Sequence, residues 1–174
     1  NSAADLNAQL DRADAWHASP YTPERLAAVN ELALEFYQDR YRGSWAQPYL
    51  AERFGADLAD DPDVRPGYAP AGWTSLVTHL HRHGVTDEEL LAAGLAVTAS
   101  TGRLIDRFRD RAVFPIVHEE QVLGFVGRRH PDATDLDHAG PKYLNTAETL
   151  LFHKRAQLFV AGARHLDAGG IPVV

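Results

Sequence analysis

Cysteine and methionine are both absent from the 174 residues, and lysine occurs only at positions 142 and 154. Without cysteine there is no disulfide and no cysteine-built zinc ribbon. No apolar run approaches the roughly 18 residues that a membrane-spanning helix needs, and no secretory signal pattern is present. The chain begins on Asn, and with methionine missing throughout it reads as a piece excised from a longer cytoplasmic protein. A net charge of −7 is the wrong sign for a generic nucleic-acid binder. No Ser–His–acid arrangement is legible, which leaves covalent hydrolase chemistry without a sequence basis.

The acidity is unevenly spread. Residues 1–63 hold five arginines against twelve acids, a balance of −7, whereas residues 64–174 hold twelve bases and twelve acids. A local basic ridge in the second part is therefore compatible with the overall charge. The length suits one domain with a true core, in which an acidic helical part (1–63) packs with a second part (64–174) as one α+β unit.

Thr22-Pro23-Glu24 supplies a cap residue and a proline at the first helical position. Leu26, Val29, Leu32, Ala33, Phe36 and Tyr37 follow at helical spacing, so a helix is expected to run to about Arg42. Ser44-Trp45-Ala46-Gln47 has the form of a capping box for a short helix carrying Tyr49 and Leu50. Residues 55–72, rich in Asp, Pro and Gly, read as a loop. A further helix is expected over Trp73–His83, and Thr86-Asp87-Glu88-Glu89 is a second capping box whose helix ends at Gly94. Beyond Gly102 the period becomes two, and 113–117 with 122–126 make an antiparallel hairpin about His118-Glu119-Glu120-Gln121. Tyr143-Leu144 forms a short strand, a helix follows from about Asn145 or a few residues later, another spans 156–166, and 171–174 begins a strand.

Arg107, Arg109 and Arg111 alternate ahead of an apolar strand, which in an extended chain puts all three on one face. Asp106 and Asp110 have the opposite parity and leave that face charged. The fork of arginine suits phosphate oxygens on an extended single strand, and surface ion pairing is the plainer alternative. Arg128, at the far end of the hairpin, is expected beside this row, and Arg129 is not. Trp73, after a Pro-x-Gly turn, serves either as a core anchor or as a stacking platform for a base. Lys142 and Lys154 flank an Asn-Thr helix start, where free backbone amides also favour anions. In a chain that otherwise uses arginine, two compact ammonium groups stand out. His79, His81 and His83 lack a carboxylate or thiol to complete a metal site and read as a solvated helix face. Asp132, Asp135, Asp137 and His138 crowd a loop without the EF-hand pattern.

Four blocks then occur in a fixed order over about 110 residues: Gly67-Tyr68-Ala69-Pro70-Ala71-Gly72-Trp73; Asp106-Arg107-Phe108-Arg109-Asp110-Arg111 with Phe114-Pro115-Ile116; Gly124-Phe125-Val126-Gly127-Arg128; and Lys142-Tyr143-Leu144-Asn145-Thr146-Ala147-Glu148-Thr149 with Phe152 and Lys154. Tyr49-Leu50-Ala51-Glu52-Arg53 precedes them. Together they resemble the N-terminal subdomain of the catalytic core of bacterial DnaG-type primases, the part ahead of the Toprim fold. The departures are Phe54 for a glycine, with Gly55 one place late, Val126 for a glycine, and Ala147 for a proline, as in a divergent or mobile-element relative.

The resemblance implies a protein that makes RNA primers on single-stranded DNA from nucleoside triphosphates with magnesium. The metal would be held by a Toprim half that residues 1–174 lack, so the chain alone would be inactive. It also implies that Lys142, Lys154, Arg107, Arg109, Arg128 and Arg53 hold template backbone or triphosphate. Asn145 would shape the site and Trp73 would touch template, with a replicative helicase as a further partner. Two rival readings are a non-catalytic single-strand-binding module of a mobile-element protein and a helicase- or relaxase-interaction domain.

Overall fold

The computed structural model describes residues 21–134, 139–146 and 149. Among these, α1 (Pro23–Asp39) opens as its sequence requires: the Thr22 hydroxyl accepts from the Arg25 amide at 3.1 Å and Pro23 lies in the first turn. The helix stops three residues short of the expected Arg42. Arg40 folds back, donating to the Phe36 carbonyl at 3.1 Å with its guanidinium 3.5 Å above the Phe36 ring. The capping box expected at Ser44 does not form. Its hydroxyl donates to the Tyr41 carbonyl (2.7 Å) and closes the turn after α1, while the Gln47 side chain accepts from the Gly43 amide (3.1 Å). The next helix, α2 (Ala46–Phe54), therefore starts without a side-chain cap and ends on Gly55 at φ +74°, the left-handed position glycine favours.

The stretch read as a loop contains a strand, β1 (Gly67–Ala69). Two helices follow, α3 (Ser75–Arg82) and α4 (Asp87–Ala92); the Thr86–Glu89 capping box of α4 is fully formed. Short strands β2 (Ala96–Thr98) and β3 (Leu104–Asp106) pair with each other. The long hairpin is β4 (Arg111–His118) with β5 (Gln121–Arg129), turning at Glu119 and Glu120, both at positive φ. Finally β6 (Tyr143–Asn145) pairs antiparallel with β5, giving a sheet in the order β1-β4-β5-β6. Asn145 is thus the end of a strand, not a helix start. The helix of 156–166 and the strand of 171–174 lie outside the described residues.

The sheet is buried on both faces, which explains why β4 and β5 read as nearly continuous apolar runs. On one face Val113 and Phe125 meet α1, where the Tyr37 and Phe125 rings pack edge-on with centroids 5.3 Å apart. On the other, Ala112 and Phe114 pack with Tyr41, Ala46, Leu50, Leu58 and Val64. The buried Asn30 side-chain amide donates to the Val122 carbonyl at 2.9 Å and ties α1 to β5. The architecture is α+β, helices around a small antiparallel sheet.

Candidate nucleic-acid interface

Between β3 and β4 the chain turns at Asp110, a non-glycine residue at φ +51°. Arg107, Arg109 and Arg111 therefore do not form one row of an extended strand, as their alternation suggested. The two carboxylates nevertheless accept their hydrogen bonds from groups other than these arginines. Asp106, 1% exposed, accepts from the Leu76 and Val77 amides (2.9 and 3.0 Å) and caps α3, while its own amide donates to the Trp73 carbonyl at 2.7 Å. Burial raises its pKa, opposed by those amides and by Arg109. One Asp110 oxygen accepts from Trp45 Nε1 (2.8 Å) and from the Tyr68 hydroxyl (2.6 Å), and burial with this hydrogen bond pushes the Tyr68 phenol up.

Each arginine has its own task. Arg107 donates through Nε (3.1 Å) and Nη2 (2.6 Å) to the Asn145 carbonyl, and burial lowers its pKa. Arg109 donates to the Asp106 carbonyl and lies 4.4 Å above the Trp73 ring. Trp73 is 61% exposed, which rules out the core-anchor reading and leaves one ring face open. Arg111 is 2% exposed, and burial with the neighbouring arginines lowers its pKa to about 10. Trp73, Arg107, Arg109, Arg129, His130 and Leu144, with Arg111 beneath, surround a hollow of about 720 Å³.

Arg128 is not beside this group. It lies on the opposite sheet face, 5.7 Å from the Tyr49 ring and 5.6 Å from the Tyr143 ring, buried and donating to the Arg129 carbonyl. The register gives the reason. Near the turn Val117 pairs with Val122, but Ile116 pairs with Gly124, so Leu123 is an extra residue in a β-bulge. Past the bulge Arg111 stands opposite Arg129 and Ala112 opposite Arg128. Cross-strand partners share a face, so Arg129 joins the hollow and Arg128 joins Tyr49 and Tyr143. Burial raises the Tyr143 phenol pKa, with Arg128 and Arg53 acting against it, which brings exposed Arg53 into the same neighbourhood.

Lys142 is exposed just before β6, its Nζ 5.8 Å from the Tyr143 ring centre and its carbonyl accepting from the Arg129 amide at 3.0 Å. Asn145 contributes through its carbonyl to Arg107. Thr146, fully buried, accepts from the Phe125 amide at 2.7 Å and pins the end of β6, a role not read from the sequence. Lys154, Asp135, Asp137 and His138 lie outside the described residues. His79 packs on Phe36 and on His83 (centroids 4.8 and 4.6 Å), burial lowering its pKa, and His81 meets Asp87 at 2.5 Å. Among the described residues no three His, Asp or Glu side chains gather as metal ligands. The hollow sets four arginines against Asp110 and Asp132, with one Asp110 oxygen committed to Trp45 and Tyr68, and this excess of cations does not fit a magnesium ion. No described helix is long and apolar enough to cross a membrane.

Such a site defines an α+β unit that gathers guanidinium groups and an exposed indole about one hollow. Residues 36–164 match the family model described as the DNA primase catalytic core, N-terminal domain, and the chain belongs to that family. It is 41% identical over 139 residues to the DNA primase of Mycolicibacterium smegmatis, covering 78% of this chain and 21% of that protein. With the DNA primase of Deinococcus radiodurans the identity is 37% over 149 residues, covering 83% and 24%. The chain thus spans about a quarter or less of these curated relatives. Among solved structures it resembles the RNA polymerase domain of Mycobacterium tuberculosis primase DnaG in complex with a double-stranded DNA oligomer bearing a 6-nucleotide overhang. That likeness has a TM-score of 0.65 at 41% identity, over 75% of this chain and 40% of that one.

Proposed function

We propose that this chain is the template- and nucleotide-binding wall of a DNA primase core, in a cytoplasmic protein that makes RNA primers on single-stranded DNA during replication. The observation that carries the reading is the arginine-lined hollow beside the open face of Trp73, in a family member whose own net charge is negative. Guanidinium groups attract phosphate, and a base stacked on an exposed indole gains about 1–3 kcal/mol. Lys142 and Arg53, both exposed, extend the cationic surface along which a backbone or a triphosphate would lie.

Nucleotidyl transfer uses two metal ions that clamp the attacking and leaving oxygens. Since the hollow does not fit such an ion, magnesium is assigned in this proposal to carboxylates of another part of the protein, and these residues bind and orient substrate. The remaining partners are nucleoside triphosphates and a replicative helicase. Family membership favours this reading over a bare interaction module.

The test is titration of a labelled oligothymidylate over a salt series. Binding is expected to be weak and to fall with a log–log slope of about −0.7 per phosphate contact. Trp73→Ala is expected to lower affinity without changing that slope, and Arg109→Ala to lower both. No binding at low salt, or a tight complex indifferent to salt, refutes the reading.

A further inference from the structure

The arginine of the hollow that is least able to touch a ligand is Arg111. Its guanidinium is surrounded by backbone carbonyls: Nη1 donates to Gly127 at 2.9 Å and reaches Lys142 at 3.5 Å, while Nη2 donates to Ala139 and to Pro141, each at 2.7 Å. Among the described residues no carboxylate bonds to it, and its electrostatic neighbours are Arg129, Arg109, Arg128 and Arg107. A buried cation with like-charged neighbours is held only where its donors are satisfied. Here three of the four acceptors belong to residues 139–142, the segment that delivers Lys142.

We infer that Arg111 is a positioning residue: it clamps the 139–142 segment and thereby fixes Lys142 for contact with phosphate. The inference rests on the proposed nucleic-acid function and gives a role to Arg111, to which the resemblance assigned none. The surroundings are shaped for the clamp. A Cβ on Gly127 would lie 3.0 Å from Arg111 Cδ, so the bare glycine leaves room for the stem. At the other end of the segment Arg107 holds the Asn145 carbonyl, so residues 139–145 are fastened at both ends by arginine while the Lys142 side chain stays exposed. Lysine at 111 keeps the charge, yet one compact ammonium cannot reproduce the planar fork that reaches four carbonyls.

The experiment uses the 174-residue chain, with Lys142→Ala, Arg111→Lys, Arg111→Gln and the double variant Arg111→Lys/Lys142→Ala. Amide hydrogen exchange, without DNA, is expected to accelerate at 140 and 142–144 in Arg111→Lys while β4 and the first half of β5 keep their protection. Oligothymidylate binding is expected to weaken roughly three- to tenfold in Lys142→Ala, with a salt slope shallower by about 0.7. Arg111→Lys should match that loss despite its retained charge, and the double variant should be no weaker than Lys142→Ala. If Arg111→Gln fails to fold, Arg111→Lys carries the comparison. Unchanged exchange at 140–144, uniform loss of protection across the sheet, or losses that simply add in the double variant overturn the clamp. Failure of the parent chain to bind DNA sinks the functional reading instead, and the exchange arm separates the two.

Discussion

Removing the Asp106 carboxylate is expected to loosen the rim of the hollow and the domain together. The group is 1% exposed and satisfies the Leu76 and Val77 amides at 2.9 and 3.0 Å. Losing a helix cap costs about 0.5–2 kcal/mol at an exposed helix end, and because the two amides left here are buried the loss is instead about 1–3 kcal/mol for each. Relief of the desolvated charge, visible in its raised pKa, offsets part of this. We therefore expect Asp106→Ala to lose about 3 kcal/mol, which at about 2–4 °C per kcal/mol for a chain of this size lowers Tm by about 6–12 °C. Asp106→Asn keeps one acceptor oxygen and should lose about 1 kcal/mol.

The pH dependence separates the two contributions. Because the folded pKa lies above 3.8, the folded state binds more protons between 3.8 and that value, so stability falls as pH rises through this window. Asp106→Asn should abolish that fall. Circular dichroism melts over acidic to neutral pH, with oligothymidylate binding at pH 7, provide the assay. Trp73 lies two residues before α3, so affinity should drop along with Tm. An Asp106→Ala protein within about 1 kcal/mol of the parent, or one that melts early yet binds DNA as well, refutes the coupling of cap to rim.

Lys142→Ala is expected to cut primer synthesis by the whole protein while shifting stability by less than about 0.5 kcal/mol; exposed Arg103→Ala is the control, and equal priming by both excludes the role. The Arg25 hydrogen bond holds the Glu89 carboxyl down to about 2, from 4.5, so its contribution is present above pH 4.5 and lost as pH falls through about 2. Glu89→Gln should therefore lose about 1 kcal/mol at neutral pH, since Arg25 is half exposed, and melt with a flatter acid limb. Gly127→Ala places a Cβ 2.7 Å from the Phe108 ring and 3.0 Å from Arg111 Cδ, and urea unfolding should show a loss of about 1–3 kcal/mol. An unchanged urea midpoint would mean that the hollow is looser than its packing indicates.

What was legible in the chain was local. The Thr22 and Thr86 caps, the hairpin and the short strand at Tyr143 are written in neighbouring residues, and each is present. Ser44 failed although it satisfied the same local rule, because the turn closing α1 offered its hydroxyl a nearer acceptor at Tyr41. Strand β1 went unread because its three residues pair with β4 more than forty positions away, and nothing local marks such a segment as a strand. Burial of Arg111 was equally hidden, since in Arg-x-Arg-x-Arg the three look alike; only the apolar run that begins at Ala112 hints that the last of them enters the sheet.

Arg128 and Arg129 show how little is needed to reverse a site assignment. Carried along the hairpin without interruption, the pairing of His118 with Gln121 would bring Arg111 opposite Arg128, the arrangement that alternation suggested. The extra residue at Leu123 advances β5 by one, so Arg129 enters the hollow and Arg128 passes to the tyrosines. The bulge thereby distributes two adjacent arginines to the two faces of the sheet. Tyr143 and Leu144 repeat the division on β6, where Leu144 lines the hollow and Tyr143 meets Arg128. Lys142 directly precedes this strand, its Nζ 5.8 Å from the Tyr143 ring and its carbonyl accepting from the Arg129 amide and from Arg111 Nη1. The arginines about β6 therefore fall into two sets, one on each face of the sheet, and a substitution of Arg111 should be felt at Lys142.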